Sequence, residues 1–77
     1  MITGPQIIAA RALLKMHQGT LARRASISVN TLSAIEREAS NPLSDTLAAI
    51  EAALVEEGIQ FLPDGVRLQR RLGGPEL

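Results

Sequence analysis

The sequence predicts a mainly α fold, a bundle of four short helices with a C-terminal β-hairpin or extended segment. Apolar residues recur at helical spacing in four stretches between Thr3 and Leu54, with turn signals between them. The chain holds no Trp or Tyr and one Phe, so its core is built from Leu, Ile, Val and Ala, which suits closely packed helices. After Gly58 the helical period gives way to alternation, as strands require. A length of 77 residues allows one domain and one modest core.

Helix one is expected to start after Thr3, an N-cap candidate, with Pro5 in the first turn where its missing N–H costs nothing. Ile7, Ala10, Arg11 and Leu14 share one face, and the helix ends near Lys15 or Met16. Helix two covers roughly Gln18 to Ala25 and helix three Val29 to Arg37, on either side of a break at Ser26-Ile27-Ser28. Ser28 is placed to cap helix three through its hydroxyl. Ala39-Ser40-Asn41-Pro42 is a loop, because Pro42 disfavours helix at Asn41. Ser44 is the expected cap of helix four, Leu47, Ile50, Ala53 and Leu54 its buried stripe, and Gly58 its stop.

Ile59-Gln60-Phe61-Leu62, Pro63-Asp64-Gly65 and Val66-Arg67-Leu68-Gln69 then read as strand, turn and strand, with Ile59 and Phe61 sharing one face, as do Val66 and Leu68. An isolated hairpin is marginal in water, so it must pack on the helices or pair with another chain. The domain is expected to span residues 1–71, with the hairpin in 59–69. Leu72 to Leu77, with two glycines and a proline, is expected to be a disordered tail.

Composition excludes much. Without cysteine and with a single histidine, the chain offers no disulfide, thiolate nucleophile or Cys/His zinc site, and a lone histidine makes no metal site. No serine has a recognisable histidine base, and no glycine-rich loop with a following lysine cradles phosphate. No enzyme activity and no cofactor are therefore expected. Nothing approaches a membrane span or a secretory signal, so a cytoplasmic location is expected.

The formal net charge is zero, which by itself argues against a nucleic-acid partner. Its distribution is uneven. Up to Ser44 the bases Arg11, Lys15, Arg23, Arg24 and Arg37 face only Glu36 and Glu38, whereas Asp45 to Asp64 contains acids alone. Ordinary solvated charge is the plain reading. The alternative is a chain with one end turned to phosphates and helix four turned away.

Two short helices joined by a tight turn over residues 18–37 form a device for laying the second helix in the major groove of DNA. Small Ala22 permits close approach, and Leu21, Ala25, Ile27, Leu32 and Ile35 supply the packing. On Gln18, Leu21-Ala22, Ala25, Ile27-Ser28, Thr31-Leu32-Ser33, Ile35-Glu36-Arg37 and Asn41-Pro42, the sequence resembles the XRE family of lambda-repressor-like helix-turn-helix proteins, over about Thr3 to Leu54.

The resemblance implies a cytoplasmic transcriptional regulator that partners double-stranded DNA and acts as a homodimer. It implies that Gln18 and the start of helix two meet a phosphate. It places Ser28, Val29, Asn30 and Thr31 at base edges or phosphates, with Asn30 suited to bidentate pairing with adenine and Val29 to a thymine methyl. Ser33 and Ala34 are expected further along the same exposed side, with Arg37 as a phosphate or structural partner and Ser40 and Asn41 as further phosphate contacts. Arg11 and Glu36 are expected to form a structural salt bridge.

Several positions depart from the family pattern. Ser26 and Glu38 stand where glycine is common, Ala34 is short, Gly19 weakens helix two by about 1 kcal/mol, and His17 is a poorer N-cap than serine. These departures motivate a competing expectation: a protein-interaction module or antitoxin-type protein that keeps the fold, engages a protein partner and binds DNA weakly.

Overall fold

A computed structural model describes residues 1–69. The elements run α1 (Gly4–Leu14), α2 (Gln18–Arg24), α3 (Val29–Glu36), α4 (Ser44–Glu56), β1 (Ile59–Leu62) and β2 (Gly65–Leu68). The expected tail from Leu72, with Arg70 and Arg71 before it, lies outside the described residues.

Helix α1 starts where its chemistry directs. The Thr3 hydroxyl accepts from the Gln6 backbone N–H, and the Gln6 side-chain Oε1 accepts from the Thr3 N–H at 2.9 Å, a reciprocal capping box. Ile2 and Ile7 flank that box in sequence and both enter the core, the pattern of a hydrophobic staple. Lys15 closes the helix in the left-handed region at φ 55°.

The core gathers Ile7, Leu21, Leu32, Ile50 and Leu54 as its largest fully buried side chains, with Ala10, Ala22, Ala25 and Ala53 buried in the same cluster. Each large aliphatic contributes roughly 2 kcal/mol on burial. Of the expected α4 stripe, Ile50, Ala53 and Leu54 are buried and Leu47 packs against the cluster. The expected Ser44 cap is corrected. Leu43, extended after Pro42, is the N-cap and makes no side-chain capping bond, while its carbonyl accepts the first helical bond from Leu47. Ser44 thus lies one position inside the helix, and Asp45 in the first turn complements the dipole instead. Helices two and three each stop one residue earlier than expected, with Ala25 and Arg37 as C-caps.

The hairpin is antiparallel, pairing Ile59 with Leu68, Gln60 with Arg67, Phe61 with Val66 and Leu62 with Gly65. Ile59, Phe61, Val66 and Leu68 therefore share the face that packs on the helices. Gly58, at φ 103°, makes the bend from α4 into β1, and its carbonyl accepts from the Gln69 N–H at 2.7 Å.

The two-residue turn Pro63-Asp64 is not of the primed kind that matches strand twist, since among described non-glycine residues only Lys15, Ser26 and Glu38 have positive φ. Gln6 compensates from α1. Its buried amide nitrogen donates to the Leu62 carbonyl at 2.6 Å and to the Gly65 carbonyl at 2.9 Å. One side chain thus closes the start of α1 and clamps both carbonyls that flank the turn.

Ser26 and Glu38 adopt φ 60° and 58°. A side chain costs about 1–2 kcal/mol in that region, and glycine's larger unfolded entropy offsets roughly half of this. Ser26 is exposed. Ser26→Gly is therefore expected to stabilise the protein by about 0.5–1 kcal/mol, seen as a higher urea midpoint at unchanged slope. An unmoved or lowered midpoint would show that the turn carries no such strain.

Candidate nucleic-acid interface

The Ala25-Ser26-Ile27 turn sets α3 across α2. The Ala25 N–H reaches the Leu21 carbonyl and the Ile27 N–H the Ala22 carbonyl, each at 2.9 Å, so the chain closes α2 before it opens α3. Ile27 packs against the core beneath. Ser28 then caps α3, its hydroxyl oxygen accepting from the Thr31 N–H at 3.0 Å. The Ser28 and Thr31 hydroxyls lie 2.9 Å apart and bond to each other. Ser28 is thereby occupied in holding the helix start.

Leu32, Ile35 and Glu36 are the buried residues of α3. The 3.6-residue repeat sets Asn30, Ser33, Ala34 and Arg37 together on the opposite side. Val29, Asn30, Thr31 and Arg37 are exposed, Val29 to 44% despite being apolar. Ser33 and Ala34 are half-buried rather than fully exposed, a correction that follows from their short side chains at the flanks of the packed sector. The Arg37 guanidinium lies over Ser33 at 3.4 Å. Ser40 and Asn41 are exposed in the loop that follows.

Behind this face sits a buried charge network. Glu36 is 4% exposed, and its carboxylate takes two bonds from Arg11, Nε to Oε2 at 2.6 Å and Nη2 to Oε1 at 2.9 Å. Arg11 also donates through Nη1 to the Met16 carbonyl at 2.9 Å. Gln18 donates through Nε2 to Glu36 Oε1 at 2.8 Å. The pair thus ties α1 to α3, and Gln18 attaches the start of α2 to the same carboxylate. The side chain of Gln18 is turned inward.

The basic half of the chain is less free than its composition suggests. Arg11 is spent on Glu36, and Arg24 pairs with Glu57. The Glu57 carboxylate, first by hydrogen bonding and then by charge, raises the Arg24 pKa further above its usual high value. Among the residues up to Ser44, Lys15, Arg23 and Arg37 remain exposed without an acidic partner. Glu38 projects an acid from the end of α3.

Two residues that shape this region carried no sequence signal strong enough to single them out. Gln6 forms a Thr-x-x-Gln box legible in retrospect, but its hairpin contacts span 56 and 59 positions. Gly4 lies under the end of α3, where any side chain would strike the Ile35 and Glu36 carbonyls.

Among the described residues no group of three or more His, Cys, Asp or Glu is placed to hold a metal ion, and no helix is long and apolar enough to cross a membrane. A search of curated proteins finds no match to the chain. A family model described as Helix-turn-helix matches residues 7–54, well over half of the chain and all of α2, the turn and α3. With the four-helix bundle and capped recognition helix in place, the chain belongs to this family and is an XRE-type, lambda-repressor-like helix-turn-helix DNA-binding regulator.

Proposed function

We propose that this regulator is a homodimeric repressor or autoregulator that reads a palindromic operator, with α3 in the major groove. The observation that carries the reading is the capped, exposed first turn of α3, where Val29, Asn30 and Thr31 project beyond the packed face. Asn30 is the base reader, its amide matching adenine N6 and N7, and Val29 meets a thymine methyl. Thr31, Ser33 and Ala34 line the same approach, and Ser28 sets it. Arg37, Ser40, Asn41 and the start of α2 at Gln18 position the protein on phosphates. Two protomers then read half-sites about 34 Å apart.

Selection of bound duplexes from a random pool tests this. The expected product is a palindrome with half-sites one helical turn apart, and a featureless pool would sink the operator reading. Asn30→Ala is expected to cost about 1–3 kcal/mol of discrimination at one base pair per half-site while leaving thermal stability unchanged. Unchanged site preference would remove Asn30 from the reading surface.

The spent arginines and the exposed Glu38 favour a second reading, in which the same fold serves a protein partner, as in an antitoxin-type protein, and DNA binding is weak. Salt dependence separates the two. Phosphate contacts from Lys15, Arg23 and Arg37 of each protomer give a slope of log affinity on log salt of about −5 for a dimer. A slope near zero, together with a stoichiometric protein partner and no selected site, would favour the second reading.

A further inference from the structure

The Gln6 amide sits between the hairpin and the start of α1 with its bonding capacity filled. Its Oε1 accepts from the Thr3 N–H, while Nε2 donates to the Leu62 carbonyl at 2.6 Å and to the Gly65 carbonyl at 2.9 Å. The residue is only 7% exposed, so water does not replace a bond that is lost. The two carbonyls flank Pro63-Asp64, a turn whose backbone twist does not match that of the strands. This turn therefore has two arrangements, clamped on α1 or splayed once the donors are withdrawn. The same first turn of α1 also lies against α3, with Gly4 beneath the Ile35 and Glu36 carbonyls. Arg11, seven residues on and so on the same face of α1, holds the Glu36 carboxylate. Helix α1 thus grips the end of α3 by the main chain and by the side chain of one residue.

We infer that Gln6 is a positioning residue for DNA recognition. Through its amide the hairpin turn sets the start of α1, and α1 in turn sets the end of α3. The inference rests on the reading of α3 as the helix that enters the groove. It adds a residue whose side chain bonds only to Thr3 and to the hairpin. Coupling of this kind needs a continuous packed path and an element with two discrete arrangements. The path consists of two hydrogen bonds, one helical turn and one backbone-to-backbone contact, and no flexible side chain lies along it to absorb a shift. The element is the Pro63-Asp64 turn. A ligand or partner that holds this turn against α1 strengthens duplex binding, and one that draws it away weakens it, because the two events share one free energy.

Two variants of the full chain test the link from its opposite ends. Gln6→Glu keeps the capping box, where Glu accepts as Gln does, and sets a carboxylate without donors against the two carbonyls. Pro63→Gly loosens the exposed turn and leaves α1 untouched. Each is expected to lower affinity for a duplex recovered from the random pool about fivefold or more, at temperatures where circular dichroism shows the helices intact. The double variant should lose no more than the weaker-binding single one, since both break the same link, whereas independent structural damage would multiply. Hydrogen exchange without DNA reads α3 directly. The amides of Arg37, Glu38 and Ala39, bonded to the Ser33, Ile35 and Ala34 carbonyls, should exchange faster in both variants while those of α2 keep their rates. Affinities within about twofold of wild type, losses that multiply, or unchanged exchange at those three amides each overturn the inference. The operator reading is scored separately. A wild type that recovers no duplex ends that reading and leaves the exchange rates to decide whether the turn sets α3.

Discussion

Glu36→Ala is expected to destabilise the protein by about 3 kcal/mol, a large share of the roughly 4–11 kcal/mol available to a chain of this size. The carboxylate is all but sealed from water and holds three donors, two from Arg11 and one from Gln18. Its removal leaves a guanidinium with no counter-charge and an amide with no acceptor in the seam between α1, α2 and α3. The cost falls at the low end of the range for a broken buried pair, because the Arg11 side chain keeps 18% of its surface in water and retains Met16. A urea titration at neutral pH measures it. The double variant Arg11→Met, Glu36→Leu should recover most of the loss, since it removes the stranded charge along with its partner. A single variant no less stable than the double would show that the pair, as such, holds nothing together.

The same carboxylate shows how far the sequence alone carries. Arg11 and Glu36 were placed together through the family resemblance, and the helical spacing of Ile7, Leu32 and Ile35 agrees with that placement because burial leaves a periodic trace along the chain. Ser28, Gly58 and the hairpin were legible for a similar reason. Each is a local device, with cause and effect within a few residues. Ser44 lies one position past the cap its residue type suggests, because an extended Leu43 after Pro42 opens α4 without any side-chain cap.

What stayed hidden depends on distant partners. Gln18 reads as an outward phosphate contact until Glu36, on the far side of the turn, draws its amide inward at 2.8 Å. Arg24 counts toward a basic half until Glu57, 33 positions on at the end of α4, takes it. The exposed side of α3 is legible as a pattern, but Ser33 and Ala34 emerge less than that pattern implies. Composition counts charges, whereas the surface presented to DNA depends on which charges remain unpaired. For this chain the difference is between five bases before Ser44 and three.

Gly4→Ala is expected to cost about 2–3 kcal/mol, although alanine is the better helix former. The first turn of α1 lies against the last turn of α3. A Cβ at residue 4 would stand 2.5 Å from the Glu36 carbonyl oxygen and 2.6 Å from that of Ile35. These are backbone atoms at the end of a packed helix, so no side chain can swing aside to make room. The propensity gain of up to about 1 kcal/mol is outweighed by overpacking. The approach also sets the positive end of one helix dipole against the negative end of another, and separating them forfeits that attraction. Gly19→Ala is the internal control, because a Cβ at that position meets nothing within 4 Å. The same substitution should there leave stability unchanged or raise it by up to about 1 kcal/mol. Thermal melts of the two variants side by side read the contrast directly, and equal midpoints would refute the close approach. Because the displaced element is α3, Gly4→Ala should also weaken duplex binding at temperatures where the protein is still folded. Gly19→Ala leaves α3 in place. A residue outside the helix-turn-helix would then be shown to set the position of α3, and with it of Asn30, the proposed base reader.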